Sequence, residues 1–363
     1  MVCVLRQTKE EIPIAYKLDY YINKSYIILS PIKIMYAKKN NLNTVRELYY
    51  KMSLLVNIMP ALPFGLCWQL SLLATLNLMS EKKGMQMLFN DSTWTFKSKL
   101  GWRDYFDSLE LSDNNADGVK VTIDLSLYDS VGEYNPFKHR FKLKYYREMF
   151  SKLVVLNKEL TDLMSQIMAA NNLVPGEYDS ILIRRGDKIL CDSYIKPTVL
   201  YIEHLLAQNP KTIFLQTDDY NSYLEMKEII KYNNLDIKLV CICPPWQRGV
   251  VTQKNVFTDL KNGIVNQYMQ NDNNKTYINN WLKTNNKTTE EFSPTEMREH
   301  VECAIVGMEI CIQSRYLVLD FGSSNISRYL YIRHNNRENV ISTDGIYPWG
   351  EDTEICIPSP NFC

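Results

Sequence analysis

The chain has 363 residues, 45% of them apolar, enough to fill two ordinary domains. Its 41 basic and 41 acidic residues cancel, which speaks against a general nucleic-acid or membrane-surface binder. Any anionic ligand must be met by local charge.

The nine cysteines contain no CxxC pair, which argues against a structural zinc site. Only Cys356 and Cys363 are placed for a late, short disulfide loop. The amino terminus lacks a secretory pattern. The apolar stretch from Ile27 to Met35 is interrupted by Pro31 and Lys33 and is too short to span a bilayer, so no membrane segment is expected and the chain reads as soluble.

Residues 1 to about 45 show no clear period. Pro60 to Pro63 make a turn before Gly65-Leu66-Cys67-Trp68-Gln69. The spacing then predicts a helix from Gln69 to Glu81, with Leu70, Leu73, Ala74 and Leu78 on one face. Gly84 ends it, and Met85 to Phe89 reads as a strand. Asn114 to Gly118 is a polar loop, and residues 145–172 read as one long helix with Leu153, Leu156, Leu160, Leu163 and Ile167 at helical spacing.

From about residue 178 strands and helices alternate. Strands are predicted at 179–184, 211–216, 237–243 and 316–320, and helices at 197–207, 219–232, 294–313 and 325–333. Such alternation predicts an α/β fold with a parallel sheet and crossover helices. Asn271 to Glu291 reads as a surface loop, and Ser293-Pro294-Thr295-Glu296 as a capping box with proline in the first turn.

The most informative stretch is Ile181-Leu182-Ile183-Arg184-Arg185-Gly186-Asp187-Lys188. The apolar run reads as a strand buried on both faces. Its charged end lies where open α/β sheets bind ligands. Two guanidinium groups there suit a diphosphate held by bidentate hydrogen bonds. The alternative is that Arg184 and Arg185 pair with structural carboxylates and Gly186 only turns the chain.

A second constellation, Asp320-Phe321-Gly322-Ser323-Ser324-Asn325, joins a strand to a helix start, an anion site or ordinary capping. In Thr217-Asp218-Asp219, the pair of carboxylates either binds a cation or caps the next helix. Asp192, close to Lys188, is either a tuned general base or a solvated turn residue. His139, His204, His300 and His334 have no metal spacing, and Trp94 and Trp102 read as packing residues.

These pieces, in this order, resemble the alpha-1,6-fucosyltransferases that modify the N-glycan core and their bacterial nodulation-protein relatives. The resemblance covers roughly residues 60 to 345. It is carried by Gly65-Leu66-Cys67-Trp68-Gln69-Leu70, Trp94-Thr95-Phe96 with Gly101-Trp102, Leu182 to Lys188, Gln216-Thr217-Asp218-Asp219, and Gly322-Ser323-Ser324-Asn325-Ile326-Ser327-Arg328. The departures are Leu182 for a family histidine, Cys67 for a glycine, and Asp192 for a glutamate.

The resemblance implies a two-lobed GT-B-like glycosyltransferase with a Rossmann-like C-terminal donor-binding domain. In this chain that means 1–172 on the acceptor side, 173–345 for the GDP-sugar, and a tail at 346–363. It implies inverting, metal-independent transfer of L-fucose from GDP-fucose to a glycan or glycoprotein, with GDP-fucose as donor substrate and no cofactor. Arg184 and Arg185 would hold the diphosphate, with Ser323, Ser324 and Asn325 touching it. Glu309 would read the guanine, and Lys188 and Asp192 would activate the acceptor. Gly65, Gln69, Asp187, Asp218 and Asp219 would be donor contacts or structural. The family setting is the Golgi lumen. Use of another nucleotide sugar, or binding without turnover, are the competing readings.

Overall fold

The computed structural model describes residues 52–57, 65–91, 94, 96, 98–109, 119–124, 136–185, 196–248, 291–321, 324–345 and 349–357; at 119–124, at 137 and in parts of 52–57 only the backbone is described. The polar loop expected at 114–118, and all but Glu291 of the one expected at 271–291, lie outside these residues. All described residues fall in one compact unit, Tyr49–Cys363.

The amino-terminal part builds a three-stranded parallel sheet, β1 (Met52–Asn57), β2 (Gln86–Asn90) and β3 (Val119–Asp124), in the order β2-β1-β3. Helix α1 (Leu66–Lys82) follows β1 and packs on this sheet. The one-faced helix expected here is in fact buried almost all round. Its polar residues tolerate this by turning inward: the hydroxyls of Ser71, Thr75 and Ser80 donate to the carbonyls of Cys67, Ser71 and Leu76 at 2.7, 2.8 and 2.9 Å.

The long helix expected over 145–172 is two helices, α2 (Leu143–Leu153) and α3 (Lys158–Asn171). Tertiary bonds break the period. Asp107 N–H donates to Val155 O at 2.9 Å, Phe106 bridges Leu156, and Asn157 N–H donates to Tyr105 O at 2.9 Å. Asn157 then caps α3, accepting from Leu160 N–H at 2.9 Å. A short strand β4 (Phe141–Lys142) precedes α2.

The carboxyl-terminal part is the expected parallel sheet. Its elements are β5 (Asp179–Ile183), α4 (Thr198–Leu206), β6 (Thr212–Thr217), α5 (Tyr220–Tyr232), β7 (Lys238–Cys241), α6 (Pro294–Ile312), β8 (Leu317–Leu319), α7 (Asn325–Arg333) and β9 (Val340–Ser342). Every β5 residue is buried, as the apolar run required. The predicted capping box starts α6: Glu296 N–H donates to Ser293 Oγ at 3.2 Å and Ser293 N–H to Glu296 Oε2 at 2.9 Å. Gly307 lets α6 lie close on β6, since a Cβ there would stand 1.7 Å from Gln216 Oε1.

The strand order is β7-β6-β5-β8-β9. From β5 the chain steps outward to β6 and β7, then returns through α6 to β8 on the other side of β5. The order therefore reverses between β5 and β8. Outside the carboxyl ends of those two strands lies the crevice where such sheets bind ligands. At the chain's end, β10 (Glu354–Ile355) pairs with β4, and Leu143 N–H donates to Thr353 O at 3.0 Å. Residues 349–357 are thus fastened to the start of α2.

Candidate functional site

Arg184 follows β5 at the strand end that borders the reversal. Its Nε lies 2.9 Å from Asp218 Oδ2, and its side chain keeps 24% exposure. Asp218 ends β6 and also accepts Arg185 N–H on Oδ1 at 2.7 Å. Gln247 in turn fixes Asp218, donating to its carbonyl at 2.9 Å. The carboxylate therefore aims Arg184 and caps the strand end. Asp219 caps α5, accepting from Asn221 N–H at 3.0 Å, the structural alternative read from the sequence. Among the described residues no group of three or more His, Cys, Asp or Glu side chains is arranged to hold a metal ion.

The two arginines do not stand side by side. Arg185 is turned inward, its side chain 6% exposed. Its Nη2 donates to Thr198 Oγ1 at 2.7 Å, to Lys196 O at 3.2 Å and to Glu225 Oε2 at 3.2 Å. Its Nε is buried without an acceptor. Arg185 thus braces the start of α4 and the second turn of α5 against the strand end, whereas the expected reading had it beside Arg184 on a diphosphate.

Across the reversal, α7 begins at Asn325 after Ser324. Ser324 is buried, makes no side-chain cap, and its Oγ has no hydrogen-bond partner. A helix start without an acidic residue in its first turn leaves backbone donors for an anion. Asn325 Oδ1 lies 3.4 Å from Arg328 Nη1.

Helix α1 approaches the same region. Cys67, in its first turn, donates from Sγ to Met308 Sδ at 3.2 Å. Burial pushes its thiol up to about 12, with Arg184 pulling it down and Glu309 adding to the rise. The first turn of α1 is thus joined to α6 through Cys67 and Met308, within electrostatic reach of Arg184. Gly65 holds an extended conformation with no atom within 4 Å of a Cβ position, so the backbone does not demand glycine there. Gln69 is structural: it accepts from Trp94 Nε1 at 2.8 Å. Trp94 and Trp102 are core residues in an aromatic cluster with Phe89, Tyr105 and Phe106.

Glu309, the expected guanine reader, is buried and paired. It is 9% exposed and accepts from Tyr329 Oη at 3.1 Å and from Arg333 Nη1, both on α7. Burial pushes its carboxyl above the usual range, and Arg333 opposes that rise. A carboxylate sealed in such a network ties α6 to α7. Asp187, Lys188, Asp192 and Ser323 lie outside the described residues.

A polar group that the sequence reading missed lies on the same rim. Lys196 Nζ is 3.0 Å from Asp320 Oδ1 and donates to Thr343 Oγ1 at 3.1 Å. Ser342 Oγ donates to Asp344 on the neighbouring turn. Phe321 N–H donates to Ser342 Oγ at 3.2 Å. Burial first, then the neighbouring Asp344 carboxyl, push the Asp320 carboxyl up to about 6, while Lys196 holds it back. The available signal was an aspartate directly after strand β8 and a Thr-Asp-Gly turn at 343–345.

No family model and no curated protein matches the chain. Among solved structures it is similar to the NodZ alpha-1,6-fucosyltransferase soaked with GDP-fucose, at 10% identity and a TM-score of 0.41, over 78% of this chain and 92% of that one. Among the described residues no helix is long and apolar enough to cross a membrane.

Proposed function

We propose that this protein is a glycosyltransferase that binds a nucleotide-diphosphate sugar in the crevice between β5 and β8. One observation carries the reading. A braced, part-exposed Arg184 stands on one lip of the reversal point, and the uncapped start of α7, with Ser324 Oγ unpartnered, stands on the other. A diphosphate is the ligand that uses both: the guanidinium meets its oxygens in bidentate fashion, and helix-start N–H groups take the rest. The order of the motifs from Gly65 to Arg328 supports GDP-fucose as the donor and a glycan hydroxyl, in an alpha-1,6-type linkage with inversion, as the acceptor. Residues 173–345 would then be the donor domain, and 1–172 the acceptor side.

The chemistry follows from these groups. The acceptor oxygen attacks the sugar carbon opposite the diphosphate and a carboxylate takes the proton. Charge develops on the departing GDP, and Arg184 with the α7 start stabilises it. Binding without turnover is the second reading. It is favoured by Glu309, whose sealing removes one expected donor contact. Release of GDP from GDP-fucose, measured with and without glycan acceptors, separates the two. Turnover supports the transferase, and tight GDP binding with no release at any acceptor supports the binding protein.

A further inference from the structure

The rim carries a carboxyl group whose surroundings suit proton transfer. Asp320 follows β8, the strand next to β5, and the register pairs Ser180 with Leu317 and Ile181 with Val318. Carried two residues further, it sets Asp320 against Ile183, the neighbour of Arg184. Asp320 is thus at the same carboxyl edge of the sheet as Arg184, on the β8 side of the crevice. Its side chain is 20% exposed. Lys196, from the segment before α4, pairs with it at 3.0 Å, and the charge of Asp344, from the turn after β9, acts on it in the opposite sense. A base oriented by a third group is the arrangement that proton abstraction requires.

Resting on the glycosyl-transfer reading, we propose that Asp320 is the base of the reaction, and that Lys196 and Asp344 are its positioning residues. The acceptor O–H bond breaks and its proton passes to the Asp320 carboxylate. The acceptor oxygen forms the new bond to the sugar carbon. The bond from that carbon to the diphosphate breaks, and its electron pair leaves with GDP. Water serves as acceptor in the same way, giving free sugar.

The two charged neighbours act on Asp320 in opposite directions. Asp344 makes the ionised form harder to reach, and Lys196 makes it easier. A base near 6 is ionised at neutral pH and still basic enough to take a proton. Its titration is the acid limb of a rate profile.

The test is GDP release from GDP-fucose by the full chain, with water as acceptor, followed against pH, beside GDP affinity by calorimetry. Asp320→Asn is expected to lower turnover by about 10²–10⁴-fold with GDP affinity kept. Asp344→Asn is expected to move the acid limb to lower pH, and Lys196→Met to move it to higher pH. These opposite shifts would not come from a structural role. Near-full turnover in Asp320→Asn, or an acid limb unmoved by both neighbours, overturns the assignment while leaving the transferase reading intact. A wild-type chain that neither binds GDP nor releases it overturns both.

Discussion

Arg185→Ala separates a structural arginine from a ligand-binding one. Arg185 Nη2 serves three acceptors, Lys196 O, Thr198 Oγ1 and Glu225 Oε2. The Thr198 bond is buried, worth about 1 kcal/mol, and the longer bond to Lys196 O somewhat less. Glu225 is 46% exposed, so its ion pair is screened and adds roughly 0.5–1 kcal/mol. Loss of the buried side-chain stem brings the total to about 2–4 kcal/mol. For a chain of this size that is a fall in melting temperature of roughly 3–5 °C. The assay is a thermal melt run beside a GDP titration below the new midpoint. Affinity is expected to change less than about threefold, because the guanidinium does not face the crevice. A variant with wild-type melting and GDP binding weakened tenfold or more would refute the inward role and restore both arginines to the ligand.

Two further predictions concern the turn that carries Trp102. Gly101 sits at φ +82°, and a Cβ there would stand 2.3 Å from Asp91 Oδ2, the acceptor of Trp102 N–H. Gly101→Ala should therefore cost about 2–3 kcal/mol, read by chemical denaturation, and a loss below 0.5 kcal/mol would contradict the geometry. Asp104 accepts the N–H groups of Ser98, Lys99, Leu100 and Gly101. Burial alone would raise its carboxyl, but these four donors outweigh it and hold it below the usual range. A depressed folded value means the stability is present above the unfolded range and lost as pH falls through the folded value. Asp104→Asn should thus be clearly less stable than wild type at pH 7, with the gap closing below about pH 4; a gap independent of pH would count against it.

The alternating half of the chain was legible because its signals are local. The buried run 181–183, the capping box at Ser293 and the helix start at Asn325 each stand within a few residues of sequence. The break between α2 and α3 was not legible: its leucines keep helical spacing, and the bonds that stop the helix come from Tyr105 to Asp107. Strand β9 escaped because Val340–Ser342 is three half-buried residues long.

In the site, position was legible and orientation was not. The sequence set Arg184 and Arg185 at a strand end, but only Thr198, Lys196 and Glu225 decide that the second turns inward. Glu309 reads as an ordinary acid within an apolar helix, and its partners Tyr329 and Arg333 lie on α7. Asp320 gained its meaning from Lys196 and Asp344, which are far from it in sequence or beyond an unforeseen strand.

The central claim is that the crevice between β5 and β8 binds a nucleotide diphosphate through Arg184. It is tested most directly by calorimetric titration of the wild-type chain and Arg184→Ala with GDP, GMP and guanosine. The account predicts that GDP binds wild type more tightly than GMP, that guanosine binds weakest, and that Arg184→Ala loses about ten- to a hundredfold for GDP, the 1.5–3 kcal/mol of a charge-assisted contact, with melting unchanged. Equal GDP affinity in wild type and Arg184→Ala, or no preference for the diphosphate over the nucleoside, would contradict it.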